Sequence, residues 1–232
     1  MTRAALFALL LAAAAPAAAA ERAYPVTDFD RVQVEGPYEV VLVTGAGSTA
    51  RASGAEAALE RVTVEVQSGV LKIHPNRSGW GGYPGGNAGP VRIAASTQQM
   101  RAATVICAGT LVIDHVGGLR ADLSVSGSGR IAVRRVDADT LMLGLIGSGR
   151  ITAAGAAKQV RATIQGSGDL DAAGLAADDL VLNAETAGTV AIAARRTAKV
   201  RAGGSGNVEV SGPAACTVTA TGAGQVRCGR GG

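Results

Sequence analysis

The chain has 232 residues, a formal net charge of +4, 33 glycines and only 3% aromatic residues. The charge is small and the arginines are scattered, so a nucleic-acid partner is not expected. So few aromatics among so many Gly, Ala, Val and Thr argue against a core of large side chains and for a narrow, tightly turned β structure.

Residues 1–20 read as a cleaved signal peptide. Arg3 provides the positive start, residues 4–15 are apolar, Pro16 breaks the run, and the alanines at 17–20 offer a peptidase site that leaves Glu21 first in the mature chain. The apolar run falls short of the roughly 20 residues a spanning helix requires. No later segment is long and apolar enough to span, and no cysteine lies near the cleavage point for lipid attachment. The expected location is therefore outside the cytoplasm, either periplasmic or extracellular at the cell envelope.

Residues 21–99 read as an N-terminal β cap segment. Stretches 29–34, 38–43, 62–66 and 70–73 have strand character, with turns at Gly45-Ala46-Gly47 and Gln67-Ser68-Gly69 and one helical turn within 54–61. A glycine-rich loop, 76–90, follows. Loops of that length inside a compact domain are usually functional or disordered. Its Trp80 and Tyr83 are candidate ligand contacts, able to stack on a sugar or dock on a protein. The alternative is an insertion whose aromatics fold back onto the cap.

Residues 100–228 repeat. Gly-Ser-Gly occurs at 127–129, 147–149, 166–168 and 204–206, with weaker copies at 107–109, 186–188 and 222–224. The closing glycines are Gly109, Gly129, Gly149, Gly168, Gly188, Gly206 and Gly224, at spacings of 20, 20, 19, 20, 18 and 18. Such a period signals stacked units. Two residues past each glycine stands an aliphatic: Leu111, Ile131, Ile151, Leu170, Val190, Val208 and Val226. The positions four after, four before and six before are also small or apolar, and the residues between them are mostly polar. A third apolar step follows at Val116, Val136, Ala156 and Leu175. Each unit is thus a strand, a tight corner, a second strand and a looser return, with one side facing inward. A unit of this size buries its apolar side only by stacking on its neighbours. The expected fold is all-β: a parallel β-helix (solenoid) of about seven coils of 18–20 residues, with an irregular N-terminal β cap and a short tail at 229–232. The corner glycines have a structural role, either at φ > 0 or where no side chain fits.

Cys107 lies in the first coil, far from the others, while Cys216 and Cys228 share the last. In an oxidising compartment that pair is a candidate disulfide. The alternative is two small buried thiols.

The opening Phe29-Asp30-Arg31-Val32-Gln33-Val34, the strand at 38–43, the element Gly69-Val70-Leu71-Lys72-Ile73 and the chain of Gly-Ser-Gly corners resemble a bacterial family labelled putative autotransporter adhesin, head GIN domain. The resemblance runs over roughly residues 25–228. It implies a right-handed β-helix on an exported protein. The family has no established activity, so it carries no catalytic residue onto this chain. The four residues at 229–232 leave no room for a membrane barrel, so an autotransporter in the strict sense is not expected.

Catalytic chemistry finds little support. The two histidines are His74 and His115, and Asp114 precedes the second. A Ser-His-Asp set is defined by geometry, however, and serines recurring at the four Gly-Ser-Gly corners read as structural. The three cysteines lack metal-ligand spacing. Asp169 with Asp171, and Asp178 with Asp179, read as carboxylates that solvate turns or pair with arginines. No catalytic group, metal or cofactor is expected. The function expected is a non-catalytic exported β-solenoid, an adhesion or binding module of the cell envelope with a protein or glycan ligand. The alternative is a carbohydrate-active enzyme, a polysaccharide lyase or hydrolase on a β-helix. A candidate interaction face consists of Ile106, Met142 and Ile146, which point outward on strands before the corners. Asp122, Ser124 and Ser126 lie between them and Arg130 and Arg150 at the border. It would serve a foreign partner or weak self-association.

Overall fold

A computed structural model of the chain describes residues 20–76 and 90–229. Residues 1–19 of the expected signal peptide, the loop residues Trp80 and Tyr83, and positions 230–232 of the tail lie outside the described residues. The strands are β1 (Ala20–Tyr24), β2 (Arg31–Glu35), β3 (Glu39–Thr44), β4 (Thr49–Gly54), β5 (Val62–Gln67), β6 (Val70–Pro75), β7 (Arg92–Thr97) and β8 (Ala102–Cys107). Eight more follow: β9 (Thr110–Gly127), β10 (Arg130–Gly147), β11 (Arg150–Gly166), β12 (Asp169–Thr186), β13 (Val190–Gly203), β14 (Val208–Ser211), β15 (Ala215–Ala220) and β16 (Val226–Cys228). One short helix, α1 (Glu56–Leu59), lies between β4 and β5.

The chain is a β-solenoid of about six turns. Seven repeated corners enclose six intervals, and the last corner opens a coil that β16 covers along one wall only. Strands β9 to β13 each wind through nearly a full coil and stack in parallel. Each coil has a leading wall just after its corner, a trailing wall just before the next, and a short third side. The register follows the glycine alignment. Leu111, Ile131, Ile151, Leu170, Val190, Val208 and Val226 form one column. Leu123, Leu143, Ala162, Leu182, Val200 and Val218 form another. Up to Val208 and Val200, these side chains are at most 2% exposed. Like residues stacked at the strand spacing thus supply the core that no single coil supplies.

The third side departs from the expected pattern. Val116 stacks on Val136, but Val136 faces Gly155, and the register shifts between Val133 and Val136. Ala156, expected to point inward, is exposed, and Leu175 follows Gly155 instead. The cause is length: this coil is one residue shorter than the two before it. The loss is absorbed at the bend, where Gly155 takes φ +121°.

Coil geometry also begins earlier than the Gly-Ser-Gly pattern. Strand β2 pairs in parallel with β6 and β8, and β3 with β7 and β9. Gly36-Pro37-Tyr38 is therefore a corner, lying directly against Gly109. Beyond this coil, antiparallel strands close the N-terminal end: β5 on β6, and β4 then β1 on β7. At the other end, β15 pairs with β13 and β16 with β14. Cys216 and Cys228 form a disulfide there, their Cα atoms 6.1 Å apart, tying the two walls together. No described helix is long and apolar enough to cross a membrane.

Candidate binding faces

The corners set the geometry from which both walls spring. Gly147, first in its corner, has φ +114°, a conformation L side chains avoid. Gly149, last in the same corner, is required for a different reason. A Cβ there would lie 2.4 Å from the carbonyl oxygen of Gly129 and 2.7 Å from Val125 Cγ1. At the weaker corner 186–188, Thr186 replaces the first glycine. Its buried hydroxyl accepts from the Gly188 amide at 2.9 Å and donates to the Gly168 carbonyl at 3.3 Å. Cys107 takes the first-glycine position at φ +73° and keeps an exposed free thiol. Ser128, Ser148 and Ser167 stand exposed at successive corner tips.

The trailing wall carries the three aliphatics singled out from sequence. Ile106 lies beside Ser126, which lies beside Ile146, while Met142 lies between Asp122 and Arg161. They share one outer face. Ile146 is 58% exposed; Ile106 and Met142 are half-buried. Burial on this wall raises the pKa of Asp122, against an opposing pull from Arg120. The border arginines stand just past the corner, and Arg150 pairs with Asp169 at 2.7 Å.

The leading wall holds an apolar strip that sequence reasoning missed. Val41 and Val43 point outward from β3, 51% and 47% exposed. Ala94, Val41, Val112 and Ala132 run side by side across four strands. The signal was hidden because Val40 to Val43 are all aliphatic, so alternation does not distinguish the buried Val40 and Leu42 from their exposed neighbours. The pair Arg92–Glu39, at 2.8 Å, edges this strip.

The third side opens into a groove of about 650 Å³, lined in part by Thr44, Gln98, His115, Asp137 and Asp139. Asp114 does not orient the His115 ring as a triad would require. Its carboxylate accepts from the Thr44 amide at 3.0 Å, the Thr44 hydroxyl at 3.1 Å and the His115 backbone amide at 2.7 Å. It therefore ties the end of β3 to β9. Asp139 is held by Lys158 at 2.6 Å, and Asp179 by Arg196 and the Thr197 hydroxyl. Asp169 accepts from the amide and hydroxyl of Thr189, and these bonds, helped by Arg150, lower its pKa below the ordinary carboxylate value. Among the described residues, no three His, Cys, Asp or Glu side chains gather to hold a metal ion.

A family model described as "Putative auto-transporter adhesin, head GIN domain" matches residues 28–214. Among solved structures, the fold is similar to that of a putative adhesin from Bacteroides fragilis, with a TM-score of 0.82 at 16% identity, covering 91% of this chain and 97% of that one. It is also similar to a putative lipid binding protein from Parabacteroides distasonis, with a TM-score of 0.71 at 17% identity over 90% and 96% of the two chains. A putative adhesin from the same organism gives a TM-score of 0.70 at 22% identity over 90% and 95%. At these identities the likeness is one of fold. No curated protein matches the sequence.

Proposed function

The chain belongs to the family described as "Putative auto-transporter adhesin, head GIN domain", and from that membership we propose that it is a non-catalytic binding module of the cell envelope, engaging its partner through a flat β wall. The observation that carries this reading is the set of aliphatic side chains held outward on the trailing wall. Ile106 and Ile146 stand two coils apart, roughly 10 Å at the usual strand spacing. Both sit on backbone hydrogen-bonded to neighbouring coils on either side, so the face is displayed at little entropic cost. Solenoids commonly use such extended surfaces for recognition. The ligand class is a protein or a glycan of the envelope.

The test is binding of the mature chain to a glycan array and to envelope protein and lipid fractions, compared with the Ile106→Asp, Ile146→Asp double variant. The expected result is at least a tenfold loss of binding with little change in melting temperature. Equal binding by the two proteins would overturn the assignment to this wall. The enzymatic alternative draws on the groove beside His115 and Asp137. Release of reducing ends or unsaturated sugars from any polysaccharide, abolished by Asp137→Asn, would replace the binding reading with that one.

A further inference from the structure

We infer that the C-terminal end of the solenoid is a self-pairing surface, and that two copies of this chain join end to end through antiparallel pairing of β15. Strand β15 pairs on one side with β13, and all six of its residues are exposed. Three other strands, β1, β5 and β16, likewise pair on one side among the described residues. Each of those carries charge: Glu21 and Arg22, Glu65, and Arg227. Charged side chains are how proteins keep free edges from pairing. Strand β15, Ala-Cys-Thr-Val-Thr-Ala, has no charge and a β-branched centre.

The backbone is oriented for a partner. The Thr221 amide donates to the Ala202 carbonyl at 2.9 Å, so odd-numbered residues of this stretch face β13. By strand alternation, the amides and carbonyls of Cys216, Val218 and Ala220 face the free edge. The sequence is also symmetric about Val218, with Thr217 and Thr219 on either side. A two-fold axis at Val218 sets that residue opposite its own copy, Thr217 opposite Thr219, and Cys216 opposite Ala220. About six backbone hydrogen bonds result, with Thr–Thr pairs on the outer face.

This register keeps inward side chains inward in both copies. Val218 is 42% exposed, whereas Val200 beneath it in the same column is 1% exposed. A second copy continues the column and covers it. The Cys216–Cys228 disulfide holds β15 against β16 before association, which reduces the ordering cost. The opposite end is closed by the antiparallel strands β1 and β5 with their charges, so assembly stops at an isologous dimer and forms no filament.

The experiment is light scattering or sedimentation of the oxidised mature chain across a concentration series. The wild type is expected to reach twice the single-chain mass. Val218→Lys places two ammonium groups at the axis. Val218→Pro removes an amide that faces the open edge and leaves the bonds to β13 in place. Both are expected to halve the mass, and the lysine variant decides the matter if the proline variant fails to fold. The Ile106→Asp, Ile146→Asp variant is expected to stay dimeric. A monomeric wild type at the highest concentration, a Val218→Lys protein that stays dimeric, dissociation by the wall variant alone, or open-ended filaments would each overturn the proposal.

Discussion

One methyl group separates a corner that stacks from one that does not. At Gly149 the obstacle is the carbonyl of the coil below, and at Gly147 it is the positive φ. Gly149→Ala is expected to cost about 2–4 kcal/mol in chemical denaturation, because neither backbone can retreat without breaking the stack. Ser148→Ala, at an exposed tip, should stay within about 0.5 kcal/mol. A second expectation follows from Asp169, whose Thr189 and Arg150 partners lower its pKa. A carboxyl with a depressed folded-state pKa contributes stability that is fully present above its unfolded value, near 4, and is lost as pH falls through the folded value. Asp169→Asn should therefore lower the melting temperature at pH 7, by a margin that shrinks as the pH falls below the unfolded carboxylate value. The expected loss at pH 7 is about 1 kcal/mol after allowing for solvent screening. Thermal melts of both proteins across that range are the measurement.

Among the elements, the last coil depends most on its crosslink. Among the described residues, strands β15 and β16 each pair with one neighbour, and β15 buries none of its residues. The disulfide closes a short loop, with the cysteines 12 positions apart, and such bridges contribute about 2–3 kcal/mol. Reduction, or Cys216→Ser with Cys228→Ser, should raise amide hydrogen exchange through 215–228 and leave β10 to β12 protected. Uniform loss of protection along the rod would show that the crosslink acts on the whole fold. Elements also differ in how plainly their sequences announce them. Strand β6 alternates clearly. Strands β1, β4 and β7 are rich in Ala, Arg and Ser, residues without strong strand preference, and exist because neighbours supply their hydrogen bonds.

For the whole molecule, each coil contacts mainly the next, so stability is the sum of neighbour interfaces. The two ends are unequal: antiparallel strands cover one, and the other leaves Val218 open to solvent. Native-state exchange should accordingly show openings that begin at the C-terminal end, with the slowest amides in β10, β11 and β12. Dimerisation through β15 should flatten that gradient as concentration rises.

What the sequence determined by itself was everything periodic: the all-β class, the stacking, the inward columns and the glycine corners. Each is repeated in every coil, and repetition makes a local pattern readable without coordinates. It also placed Ile106, Met142 and Ile146 on one face, because their positions relative to the corner sort inward from outward. Tertiary structure alone decided what is not periodic. Gly36-Pro37-Tyr38 joined the corner column from 71 positions away, measured from Gly36 to Cys107. The chain between them leaves β3, makes the cap and returns through β7 to β8. The outward valines of β3 were hidden because both faces of that strand are aliphatic. Ala156 turned outward because a coil one residue short must take up the difference at its least constrained bend. Period identifies neighbours that repeat; a partner brought in by a single excursion of the chain is fixed only by the contacts of the folded state.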